Sequence, residues 1–281
     1  MTPLHAFIDG VGVVGPGLAD WTQAAAVLRG ELPYTPAKCV IPAPERLPAT
    51  ERRRTGRVTR LALAVGFQAA ANAGVDPATL PTVFASSGGD GDNCHEICQV
   101  LAGPDPALSP TRFHNSVHNA PSGYWSIAAA AREPANVICA HDASFAAGLL
   151  EALATLAVAP APLLLIAYDA DLPEPMHALR PLPDAFAAAL VLSPCRGAHT
   201  LAQLTAWLET AAPAAAPTPG PAAAVLPHPA LQALAAQIPA ARSLALLQAL
   251  AHGAGRAPAT DRRLALPYLA PLSLQLTVRP C

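Results

Sequence analysis

Residues 138–153 read ICAHDASFAAGLLEAL. An apolar run meets a short polar corner, and an Ala/Leu-rich stretch with helical spacing follows it. Strand, sharp turn and helix is the layout of a nucleophile elbow, which holds one reactive side chain at the mouth of an α/β core. The residue at the corner is Asp142, with His141 before it and Ser144 two positions after.

His141, Asp142 and Ser144 are the residue types of a hydrolytic triad. Triad members converge from distant parts of a fold, whereas neighbours in a strand point to opposite faces. The pattern G-x-S-x-G is also absent. A local role accounts for both oxygen-bearing residues: Asp142 or Ser144 caps the following helix by accepting from its free N–H groups.

Outward from the elbow, apolar runs predict strands at residues 5–14, 81–85, 136–140, 162–168, 186–192 and 272–279. Helical spacing predicts helices at 21–29, 55–74, 94–101, 120–132 and 144–158, with one or two more at 230–251. Gly74 is placed to end the second of these. Strands alternating with helices over the first 195 residues predict an α/β sandwich with buried strands. Residues 211–229 hold six prolines, too many for a helix or a central strand, and read as a linker or irregular cover segment. The expected division is 1–195 as a rich α/β unit and 196–281 as a shorter remnant.

Composition narrows the function classes. With 281 residues and 52% hydrophobic content, the chain buries a large core. Only 13% of residues are charged and the net charge is −2, which excludes the basic footprint of a nucleic-acid binder. No apolar run is long enough to span a bilayer, and the start MTPLHAFIDGVGVV has no cationic leader region, so a cytoplasmic protein is expected. Six cysteines scattered through a chain of this size are expected as reduced thiols.

Three further patterns have competing readings. GVGVVG, residues 10–15, satisfies G-x-G-x-x-G after a strand, but Tyr34-Thr35-Pro36 stands where a dinucleotide site needs an acidic residue. CHEIC, residues 94–98, lies near Asp90, Asp92, His114 and His118, yet lacks the second ligand pair of a zinc knuckle, so ordinary helix cysteines are favoured. No metal and no cofactor is expected. ERRRTGRVTR brings Arg52, Arg53, Arg54, Arg57 and Arg60 within nine positions, where i, i+3 and i+4 spacing can place arginines on one helical face. Such a face docks an acidic carrier protein or is simply solvated.

FIDGVGVVGPGLADWTQAAAVLRGE, SSGGDGDN and FHNSVHNAPSGYWSIAAAAREPANVICAHDASFAAGLLEAL, in that order, resemble the N-terminal half of β-ketoacyl-(acyl carrier protein) synthases. The likeness covers residues 5–195. Gly30-Glu31 matches the family's turn after the first helix, Asn119 and Gly123 match the helix before the elbow, and Arg132-Glu133-Pro134 matches the family's R-G-P-like corner. Counted from Pro134, the family's active-site cysteine falls on Asp142, and its Ala-Cys-x-Ser becomes His141-Asp142-Ala143-Ser144. A carboxylate cannot replace a thiolate in carrying an acyl thioester through decarboxylative condensation.

The resemblance implies a thiolase-like layered sandwich with an intact N-terminal and a truncated C-terminal half. It also implies two catalytic histidines from the C-terminal half, yet His199, His228 and His252 stand in no such motif, and AHGAG at 251–255 is a faint echo. These losses resemble the chain-length factors of type II polyketide and polyene systems, and YDADLPEP at 168–175 looks most like the aryl-polyene branch. The implied function is a non-catalytic partner of an active ketosynthase, contacting acyl carrier protein through the complex. The alternative is a thioester decarboxylase or hydrolase using Asp142 and His141. Asn136, Val137, Ile138, Cys139, Ala140 and His141 are implied at the twofold interface. Cys94, Ile97, Cys98, Leu101, Phe113 and Val117 are candidates for closing the partner's acyl tunnel, each with ordinary core as the competing reading.

Overall fold

The computed structural model describes residues 2–210, 226–253 and 260–281. Most of the expected linker, residues 211–225, lies outside them. Among the described residues one sheet contains β1 (Leu4–Val14), β2 (Thr82–Ala85), β3 (Ala135–Ile138), β4 (Leu163–Asp169), β5 (Phe186–Ser193), β6 (Ala202–Thr210), β7 (Arg262–Pro267) and β8 (Leu272–Pro280). Their order is β3-β2-β4-β5-β1-β6-β8-β7. β2 runs parallel to β3 and β4, and the other pairings are antiparallel.

Successive strand residues face opposite helical layers, as the two-residue period of a strand requires. In β4, Leu163, Leu165 and Ala167 join the cluster formed with helices Ser144–Val158 and Leu244–Gly253. Leu164, Ile166 and Tyr168 join the cluster on helices Arg57–Ala73 and Ala120–Ala129. Both faces are therefore covered, which is why β4 and β5 are buried along their whole lengths.

β1 explains the glycine fingerprint. A Cβ on Gly10 would stand 2.2 Å from the Ala69 carbonyl oxygen, and one on Gly12 would stand 2.1 Å from that of Val65. The glycines let the helix Arg57–Ala73 lie directly on the strand, so the motif is a packing surface with its backbone already covered. That helix ends as expected, at Gly74 in the left-handed conformation.

β6 and β7 were not anticipated from the sequence. β6 pairs with Leu4–Ile8 of β1, so the strands beyond residue 195 continue the same sheet. Burial along β6 and β7 alternates, with Leu204, Ala206, Leu264 and Leu266 turned to the core.

Candidate functional site at the elbow

β3, a one-turn 3-10 segment (His141–Ala143) and the helix Ser144–Val158 form the expected elbow. His141 has φ +50°, a left-handed conformation that a non-glycine residue adopts at a cost. Neither Asp142 nor Ser144 caps the helix, contrary to expectation: its N-cap, Ala143, has no side-chain bond. Ser144 is already the first helical residue, and its hydroxyl instead ties the corner together. It donates to the His141 carbonyl (2.7 Å) and accepts from the Ala140 N–H (3.0 Å).

The Asp142 carboxylate meets a pair of guanidinium groups. Arg180 donates to Oδ1 at 2.9 Å and Arg242 to Oδ2 at 3.2 Å. The His141 ring touches Arg180 and lies 3.4 Å from Asp142 Oδ1. Each carboxylate oxygen thus has its own guanidinium donor, so both oxygens are already engaged by charge-assisted hydrogen bonds within the chain. Arg180 and Arg242 were not found from sequence, since 38 and 100 positions separate them from Asp142 and neither stands in a motif.

His228 caps the helix Pro229–Gln237 through the Ala230 N–H and packs edge-on against Tyr34. His199 lies over Gly74, and His252 sits in the last turn of the helix Leu244–Gly253.

A second carboxylate, also missed from sequence, lies at the end of β4. Asp169 is buried and accepts from the Ser87 N–H (2.8 Å), the Ser87 hydroxyl (2.7 Å) and the Ala240 N–H (2.8 Å). Burial raises its pKa, and the bonds from Ser87 and Ala240 offset only part of that shift. An Asp closing a wholly apolar strand, LLLIAYD, is the signal that marks it.

β3 is the edge of the sheet, paired on one side to β2 and, among the described residues, on the other side to no strand. The ladder covers Ala135 to Ile138, so Asn136, Val137 and Ile138 lie on the edge. Cys139 and Ala140 follow the strand, and His141 belongs to the corner.

The six tunnel candidates are all outside the buried core, which corrects the competing core reading. Cys94, Ile97, Cys98 and Leu101 occupy one outward stripe of the helix Gly91–Leu101, with Cys94 and Cys98 exposed. Phe113 is 68% exposed and Val117 53%, and with Tyr124 and Ile127 they line an apolar groove of about 450 Å³. Among the described residues no group of three His, Cys, Asp or Glu side chains is placed to hold a metal ion.

The five arginines do not share one helical face. Arg52 ends the short helix Ala49–Arg52, and a turn precedes the helix Arg57–Ala73, because Gly56 starts the second helix in an extended conformation. Arg52 donates to the carbonyls of Glu45 and Leu47, Arg54 pairs with Glu51, and Arg57 pairs with Asp171 at 2.8 Å. Burial alone would raise the Asp171 pKa, but the Arg57 hydrogen bond and charge outweigh it and hold the carboxyl below its ordinary value. Arg53, Arg54, Arg57 and Arg60 line a cleft that also contains Asp90, Asp92 and Glu96.

A central sheet with helices on both faces and an elbow at its edge is the thiolase-like architecture of the ketosynthases. Residues 21–252 match the family model of the β-ketoacyl synthase N-terminal domain, and the chain belongs to that family. The solved structures similar to it include a ketosynthase (ApeO) in complex with its chain length factor (ApeC) from Xenorhabdus doucetiae. The identity is 22% over 98% of this chain and 99% of that one, with a TM-score of 0.66. The ishigamide ketosynthase/chain length factor is 16% identical over 100% and 99% of the two chains, with a TM-score of 0.70. A β-ketoacyl synthase from Burkholderia phymatum is 13% identical over 99% and 100%, with a TM-score of 0.65. At these identities the likeness establishes the fold. No curated protein matches the sequence.

Proposed function

We propose that the chain is a non-catalytic chain-length factor that pairs with an active β-ketoacyl-ACP synthase in cytoplasmic polyene or polyketide biosynthesis. The observation that carries this reading is Asp142 at the nucleophile position, with both oxygens engaged by Arg180 and Arg242. A carboxylate has no sulfur to carry an acyl thioester, and with both oxygens engaged by guanidinium groups neither is free to meet a substrate, which weighs against a decarboxylase or hydrolase working through Asp142 and His141. Similarity to structures of ketosynthases with their chain length factors supports the same reading.

The two edges of the sheet support a partner at β3. β7 carries Arg262, Arg263 and Pro267, with Asp261 paired to Arg279, and such charges and prolines deter strand pairing. β3 carries Asn136, Val137 and Ile138 and no charge, so its free backbone groups suit continuation of a sheet into a second subunit. The exposed side chains of Cys94, Cys98, Leu101, Phe113 and Val117, with the half-buried Ile97, then belong to the face that shapes the partner's acyl tunnel. Carrier docking falls to Arg52, Arg53 and Arg54, the arginines of the run that stay exposed. Residues 1–195 act as the ketosynthase-like unit and 196–281 as its shortened C-terminal complement.

Co-expression with a ketosynthase encoded beside it, followed by size-exclusion chromatography with light scattering, tests this reading. A one-to-one heterodimer is expected. Asp142→Ala should leave product formed per mole of folded complex unchanged. A homodimer that ignores the ketosynthase, or thioester turnover by the isolated chain that Asp142→Ala abolishes, would overturn the proposal.

A further inference from the structure

Three segments distant in sequence meet at the elbow. They are the corner His141–Ala143, the β4–β5 connection that carries Arg180, and the 3-10 turn Pro239–Ser243 that carries Arg242. The turn is held twice. Asp169 takes its backbone through the Ala240 N–H, and Asp142 takes its Arg242 side chain. Ser243 adds an internal bond from its hydroxyl to the Ala240 carbonyl (2.7 Å).

A left-handed His141 survives only where surrounding contacts over-determine it. In an enzyme, chemistry would justify that strain. Here the contacts that fix the corner are the Ser144 bonds on one side, and on the other the Arg180 guanidinium, which meets both His141 and Asp142. Arg180 is 24% exposed and Arg242 22%, while the Asp142 side chain between them is 50% exposed, so solvent screens the two pairs in part and each contributes modestly.

We propose that Arg180 and Arg242 form a carboxylate-binding site whose permanent occupant is Asp142, and that this contact bolts the C-terminal turn onto the elbow. The elbow geometry is thereby kept for architecture instead of acyl transfer. The bolt lies within the chain and stands whether or not a ketosynthase is the partner.

The test is chemical rescue in the full chain. Asp142→Ala should lower the melting temperature by about 2 to 4 °C, the shift that loss of roughly 1 kcal/mol gives in a chain of this size. It should also speed amide hydrogen exchange in residues 239–253, far from the substitution in sequence. Sodium formate should restore part of both effects, while equal sodium chloride should not, and neither salt should restore Asp142→Ala combined with Arg242→Met. Asp142→Asn, which keeps the shape and loses the charge, gives the melting-temperature and exchange readouts, without the formate arm, if the alanine variant fails to fold, because its amide fills the space formate would take. The proposal is overturned if exchange at 239–253 is unchanged in these variants, or if formate and chloride act alike.

Discussion

Asp169 Oδ2 accepts the Ala240 N–H at 2.8 Å, joining the end of a buried strand to a turn 71 residues further along the chain. The same carboxylate holds Ser87, two residues beyond the end of β2, so one side chain joins three segments. Asp169→Ala leaves the buried N–H groups of Ser87 and Ala240 without an acceptor. A loss of about 1 to 3 kcal/mol per orphaned group is expected from denaturant unfolding. Because the folded pKa is raised, the folded protein binds the proton more readily than the unfolded one. The stability contribution of Asp169 therefore declines as pH rises from the ordinary carboxylate value toward the folded one. The difference in stability between wild type and Asp169→Asn, measured across that window, should shrink with rising pH.

Gly12→Ala would drive a methyl group to within 2.1 Å of the Val65 carbonyl oxygen, a backbone atom that cannot swing aside. The helix Arg57–Ala73 must then lift from β1. A destabilisation of at least about 1 to 3 kcal/mol is expected by thermal or chemical unfolding. Gly30→Ala meets no atom within 4 Å and serves as a control for left-handed strain alone.

The exposed Asn136 side chain donates to Glu151 Oε1 at 3.0 Å and lies on the open edge of β3. A lysine there opposes strand pairing with a partner while leaving the β2 ladder intact. Asn136→Lys should weaken co-assembly with the proposed ketosynthase partner by about tenfold or more, equivalent to about 1.4 kcal/mol. Its own melting temperature should hardly move. Retained affinity in a pull-down titration would place the interface elsewhere.

Phe113 contributes an exposed aromatic ring to the apolar groove beside Val117 and Ile127. If this face closes the partner's tunnel, Phe113→Ala should lengthen the product by one or more extension units. Each methylene of relieved exclusion is worth about 1 to 3 kcal/mol. Mass spectrometry of the products checks this, and an unchanged length distribution would remove Phe113 from the tunnel.

The local chemistry of the sequence determined much of this protein. The elbow, the buried strands and the helix ending at Gly74 follow from hydrophobic period and from backbone preferences that act within a few residues. Asp142 itself is legible for the same reason, as the polar corner of a recognisable strand, turn and helix, and its match to the family's cysteine position is part of the proposed reading. β6 and β7 escaped because their alternation is short and they border the proline-rich stretch and the segment near residue 260. Only tertiary structure decided what Asp142 does. Its partners come from 38 and 100 residues away, and ion pairing depends on distance in space, on which linear order is silent. The arginine run failed in the opposite way: its spacing fits a helix, but Gly56 begins a new one, so neighbours in sequence point into different surroundings.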